Sequence, residues 1–132
     1  MLRVRSPLSP EEEQSFTKVM DCAFAVHREL GPGFKEKIYE RAYCLELHAR
    51  GIAFECEKAI DVRYKSWVIP GQRVDLVVEG VVLVEIKAVR KILRLHERQV
   101  RSYLKTMDLR AALLVNFNTT WLKHGLQRIV ST

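Results

Sequence analysis

Val74-Asp75-Leu76-Val77-Val78-Glu79-Gly80-Val81-Val82-Leu83-Val84-Glu85-Ile86-Lys87-Ala88 is the stretch on which the reading of this chain turns. Apolar runs on either side of Glu79-Gly80 read as two strands joined by a short hairpin connection. Charges interrupt both runs: Asp75 in the first, Glu85 and Lys87 in the second. Strand side chains alternate with period two, so Glu85 and Lys87 point the same way. If the hairpin pairs its strands directly, Asp75 lies across from the Glu85 end and the ionisable groups meet on one patch of sheet. Such a set has two explanations. One is a cross-strand salt bridge, with Lys87 neutralising both acids. The other is metal-assisted phosphodiester hydrolysis. Hard oxygens from Asp75 and Glu85, with the Ile86 carbonyl between Glu85 and Lys87, suit Mg²⁺ or Mn²⁺. The ion would polarise the phosphate and acidify a bound water. Lys87 would orient that water or stabilise charge developing at phosphorus.

Upstream, Ser9-Pro10-Glu11-Glu12 is a helix start, with Ser at the N-cap, Pro at the first position and Glu three residues after the cap. The periodic face from Phe16 to Leu30 ends at Gly31-Pro32-Gly33. A second helix is predicted over residues 35–50, with Ile38, Ala42, Leu45 and Ala49 at helical spacing. Residues 52–62 carry a mixed strand pattern, and residues 64–71 read as a turn with an apolar edge that includes Trp67 and Pro70. Downstream, a helix over residues 95–107 has Leu95, Val100, Leu104 and Met107 as apolar anchors. The run 111–117 is apolar throughout, as a buried central strand requires, and residues 126–130 read as a last short strand. A strand meander followed by a helical crossover makes an α/β fold: a mixed β-sheet flanked by helices.

The whole chain, residues 1–132, is the size of a single domain, with residues 1–9 as a loose N-terminal arm. Hydrophobic residues at 48% and charged residues at 29% exclude a disordered chain. No apolar run reaches the ~20 residues needed to span a bilayer, so no membrane association is expected. The opening Met-Leu-Arg-Val-Arg-Ser-Pro lacks the apolar segment of a secretory signal. Cys22, Cys44 and Cys56 are odd in number and widely spaced, which argues against a zinc knuckle or iron–sulfur site and for free, mostly buried thiols in a reducing cytoplasm. Lys and Arg exceed Asp and Glu by 22 to 16, a net charge of +6 that favours a polyanionic partner such as nucleic acid.

Asp75, nine intervening residues and then Glu85-Ile86-Lys87 form a pattern that resembles the core of PD-(D/E)XK nucleases. Gly33-Phe34-Lys35-Glu36-Lys37-Ile38-Tyr39 is similar to the Gly-x-x-Glu-x-x-Tyr signature of the GxxExxY family within that superfamily. Gln99-Val100-Arg101-Ser102-Tyr103 resembles the Gln-x-x-x-Tyr motif of its RecB-like branch, and residues 26–33 resemble the family's opening. The resemblance implies a restriction-endonuclease-like core with an extra N-terminal helix. It implies a Mg²⁺- or Mn²⁺-dependent nuclease acting on DNA, in which Asp75 and Glu85 are the main metal ligands and Lys87 is the catalytic lysine. Glu36 would complete the acidic cluster, directly or through water, with Gly33 and Tyr39 in support. Gln99 and Tyr103, one helical turn apart, would face the site and contact the nucleic-acid backbone, with His96 on the same face. Val74 stands where the superfamily name implies Pro. The competing expectation is a non-catalytic module that binds nucleic acid or protein on the same fold, with a homodimer or partner protein completing the groove.

Overall fold

A computed structural model describes residues 6–131. Helix α1 (Pro10–Leu30) begins with the expected capping box: the Ser9 hydroxyl accepts from the Glu12 N–H, and the Glu12 carboxylate accepts from the Ser9 N–H. Leu8, just before the cap, is buried in the core; residues 1–5, most of the anticipated arm, lie outside the described residues. Helix α2 (Glu36–Ala49) is followed by strands β1 (Phe54–Tyr64), β2 (Trp67–Val78) and β3 (Val82–Lys87). Helix α3 (Arg94–Met107), β4 (Ala111–Asn116), a single 3-10 turn (Leu122–His124) and β5 (Leu126–Val130) complete the order.

The strands form one sheet in the order β1-β2-β3-β4-β5. Neighbours are antiparallel except β3 and β4, which run parallel because α3 carries the chain across between them. Helices α1 and α2 cover one face, packing on Leu76, Val84, Ile86, Leu113 and Val115. Helix α3 covers the other, where Val100, Tyr103 and Leu104 meet Val77, Leu83 and Leu114. Both faces of β3 and β4 are thus covered, which explains why those segments read as unbroken apolar runs.

Three expectations are corrected. Residues 67–71 are strand, not turn: β1 and β2 form a long hairpin that reverses at Lys65-Ser66, with Tyr64 opposite Trp67. The register shifts between Ile60 and Val62, where Pro70 and Gly71 together face Asp61. A bulge of this kind accommodates a proline, which has no N–H to give to the ladder. In α2 the buried stripe is Tyr39, Tyr43 and Leu47, while Ile38 and Leu45 are exposed. The aromatic rings carry more apolar surface, and they pack around Phe117. Likewise Leu95 of α3 is exposed and Tyr103 takes the buried position.

Candidate active site

Strand β2 pairs with β3 only over Leu76↔Val84, Val77↔Leu83 and Val78↔Val82. One step further, where Asp75 would face Glu85, the main-chain ladder stops and side chains replace it. The Asp75 N–H donates to Glu85 Oε1 at 3.1 Å, and the Ile86 N–H donates to Asp75 Oδ2 at 2.7 Å. Buried amides require acceptors, and the two carboxylates supply them where the strands part. The parting coincides with a break in β2's alternation. Val74 belongs to the core under α3, yet Leu76, two residues on, belongs to the core under α1 and α2. Asp75 sits at the crossover.

Each carboxylate therefore keeps one oxygen uncommitted to the main chain. The Ile86 carbonyl points to the same edge: the Lys87 carbonyl accepts from the Phe117 N–H on the opposite side, and carbonyl directions alternate along a strand. Glu85 is only 5% exposed. Burial, then the neighbouring Asp75 charge, pushes its carboxyl up to about 8. Burial raises Asp75 to about 6, against the lowering effect of the Ile86 N–H, with Glu36 and Glu40 adding to the rise. Near neutral pH the pair thus holds a proton that a bound cation would displace.

Lys87 follows on β3 and donates from Nζ to Gln99 Oε1 at 3.3 Å. That bond brings the α3 Gln to the site, while the other members of its face are engaged nearby. The Tyr103 hydroxyl accepts from the Gln72 side-chain amide at 2.9 Å, and the ring is buried. His96 Nδ1 accepts from the Leu93 N–H at 3.0 Å, closing the N-terminus of α3 and leaving Nε2 as the protonated nitrogen. Glu36 opens α2, where the helix dipole favours an anion. Burial raises its carboxyl, the Lys87 charge opposes the rise, and its own charge raises those of Asp75 and Glu85. Among the described residues no three His, Cys, Asp or Glu side chains converge as a ready-made cage. The structure joins Asp75 to Glu85 directly and holds Glu36 within electrostatic reach.

The remaining motif residues shape the entry to α2. The Tyr39 hydroxyl donates to the Gly31 carbonyl at 2.6 Å and accepts from the Phe34 N–H at 3.1 Å, tying down the loop before the helix. Its ring stacks on Phe117 with centroids 4.7 Å apart. Gly33, inside that loop, has φ of 108°, a conformation that an L side chain rarely adopts. Sequence reasoning missed two neighbours of the site, Glu40 and Gln72. Glu40 is 6% exposed and accepts from the Cys56 thiol at 3.4 Å, with Lys37 Nζ at 3.6 Å. Its signal was the i,i+4 spacing from Glu36. Gln72 sits in the segment adjoining the misread turn. The thiols also differ from expectation: Cys22 is buried, but Cys44 is half-buried and Cys56 exposed.

Asp75 and Glu85 thus form a buried acidic pair beside a lysine, at the mouth between two strands of a mixed sheet. A family model of the PD-(D/E)XK nuclease superfamily matches residues 13–129, and the chain belongs to that superfamily. Its five-stranded mixed sheet with three helices is the restriction-endonuclease-like core, with α1 as the additional N-terminal helix. No curated protein and no solved structure matches the chain. Among the described residues no helix is long and apolar enough to cross a membrane.

Proposed function

We propose that this chain, folded as one domain, is a divalent-cation-dependent nuclease that hydrolyses phosphodiester bonds in DNA, and that it falls in the GxxExxY group of the RecB-like branch. One observation carries the reading. Asp75 and Glu85 each give one oxygen to a main-chain N–H and keep the other free, beside the Ile86 carbonyl and Lys87. Those free oxygens are hard donors of the type Mg²⁺ or Mn²⁺ takes, and Glu36 would complete the set, directly or through water. A cation bound there supplies Lewis-acid polarisation of the scissile phosphate and lowers the pKa of a coordinated water. The protein's own part is positional. Gln99 holds the Lys87 ammonium at the edge of the acidic pair, where Lys87 orients the attacking water or meets charge developing on the phosphate. Tyr39 and Gly33 fix the approach of Glu36. Gln99 and His96 form the surface that meets the nucleic-acid backbone, backed by the buried Tyr103, and there neutral donors and the basic residues of α3 set register rather than sequence.

The test is cleavage of labelled single- and double-stranded DNA and RNA in Mg²⁺, Mn²⁺ or EDTA, with wild type beside Lys87→Ala. The expected result is cutting of DNA that needs the metal and disappears in the variant. Cutting that survives Lys87→Ala would place the chemistry elsewhere. The competing reading is a module on the same fold that binds nucleic acid or protein without catalysis; among the described residues no three His, Cys, Asp or Glu side chains are already grouped. A Mg²⁺-dependent rise in thermal midpoint that is lost in Glu85→Gln discriminates for the enzyme; no response to either ion discriminates for the module.

A further inference from the structure

Far from the carboxylates, the β1–β2 hairpin carries a feature that the proposed chemistry does not use. Tyr64 and Trp67 face each other across its two-residue turn, and Val62 faces Ile69 two pairs back. Directly paired residues, and residues two apart on a strand, share a face. One face of the arm is therefore Val62, Tyr64, Trp67 and Ile69, exposed by 37%, 56%, 64% and 50%. A contiguous exposed patch of this kind marks an interaction site. Its frame is cationic. Lys65 at the tip holds its ammonium 5.4 Å from the Tyr64 ring centroid. Arg63, alternating to the other side, lines a cleft of about 420 Å³ with Ser102 and Lys105 of α3. Asp61 is the acid in that cleft.

We propose that this hairpin is a nucleic-acid arm: Tyr64 and Trp67 stack on unpaired bases of the bound strand while Lys65 and Arg63 meet its phosphates. This deepens, and rests on, the reading of the chain as a protein that acts on DNA. Exposed aromatic rings bordered by Lys and Arg are the composition of a single-strand stacking platform, which tolerates any base because every base has a π-face. A second copy of the chain fits less well. Symmetric contact between two arms sets their cationic tips against each other, and the free edge of β1 carries Glu55, Glu57, Asp61 and Arg63, charges that oppose strand addition. Trp67 lies eight residues before Asp75 on β2. At ~3.3 Å per residue the contact is roughly 25 Å from the site along the strand, so the arm grips the strand at a fixed distance from the bond to be cut.

The chain has two tryptophans, so Trp121→Phe leaves Trp67 as the single indole reporter. That protein is titrated in EDTA with a single-stranded DNA oligonucleotide, and binding is followed in parallel by anisotropy of a labelled copy. Trp67 emission is expected to be quenched as the DNA binds. The combined Tyr64→Ala and Trp67→Ala variant is expected to weaken binding by roughly tenfold or more, with an unchanged thermal midpoint. DNA that binds with Trp67 emission and double-variant affinity both unmoved overturns the arm and leaves the nuclease reading standing. A dimer in sedimentation that the double variant abolishes, with DNA affinity unaltered, overturns the arm in favour of self-association. Absence of binding to the single strand by wild type overturns the arm, and the nuclease reading is then decided by the cleavage assay alone.

Discussion

Asp75 Oδ2 and Glu85 Oε1 are acceptors for amides that the sheet has left behind, and this divides what a substitution at either position does. Asp75→Asn keeps an oxygen for the Ile86 N–H, so it should remain close to wild type in urea denaturation while losing cleavage. Asp75→Ala leaves that amide without its acceptor and should cost about 1–3 kcal/mol in the same measurement. Equal stability of the two variants would mean the bond contributes little. At this scale the sequence was most informative where a charge was out of place. Asp75, Glu85 and Lys87 stand inside runs of Val, Leu and Ile, where only a specific environment retains them. Glu40 and Gln72 carried no such mark. A glutamate on a charged helix and a glutamine near a turn look like ordinary surface residues until the fold places Glu40 near the pair and Gln72 on the Tyr103 hydroxyl.

Elements were legible where local chemistry is strong. The Ser9 box, the Glu79-Gly80 reversal and the apolar run of β4 each follow from short-range preferences, and each forms where its residues require. The β1–β2 hairpin was misread because Pro70 and Gly71 look like turn residues when only neighbours in sequence are considered. Their bulge depends on pairing with a strand about ten residues away. In α2, apolar spacing alone favoured Ile38 and Leu45, whereas the Phe117 ring decides which face is buried, and Phe117 is remote in sequence. Tyr39 makes the consequence testable. Tyr39→Phe keeps the ring on Phe117 but removes the bonds to Gly31 and Phe34. It should cost about 1 kcal/mol or somewhat more in chemical denaturation. It should also lower kcat more than a distant substitution of equal cost, because the loop sets where Glu36 enters the site.

In the molecule as a whole, the site opposes the stability of the fold that holds it. Glu85 titrates near 4.5 as an ordinary carboxyl and at about 8 in the folded chain. Between those values the folded state keeps a proton that the unfolded chain releases, so stability falls as pH rises through that window. Asp75, raised from 3.8 to about 6, adds to the fall in the lower part of it. Glu13, Glu57 and Glu79 are lowered by their hydrogen bonds to Arg128, Lys37 and Lys18, so their stabilisation is lost only as pH falls below the ordinary carboxylate range. From about pH 5 to 8 the raised carboxyls of Asp75 and Glu85, with Glu36 beside them, therefore pull stability down as pH rises. Metal-free protein should melt at progressively lower temperature across that range, and Glu85→Gln should flatten most of the trend in thermal unfolding. A flat wild-type profile in EDTA would contradict the burial of that charge. The order of elements, and hence the sheet, followed from alternating patterns along the chain. The distance between the hairpin tip and the carboxylates did not, because it depends on two strands continuing past the point where β2 leaves β3.

Gly125 shows how tightly the far side of the sheet is closed. A Cβ there would stand 2.2 Å from the Asn116 carbonyl oxygen, at the end of β4. Where β2 parts from β3, side chains rather than main chain hold the strands together. For lineages descended from this chain, that sets a direction of drift. If the proposed hydrolysis holds, a descendant that lost it would be free to discard Lys87, but positions 75 and 85 would still have to present an oxygen to the amides they serve. Decay there would run toward Asn and Gln rather than toward Val or Leu, and a retired copy would keep the outline of the acidic pair after its charge had gone.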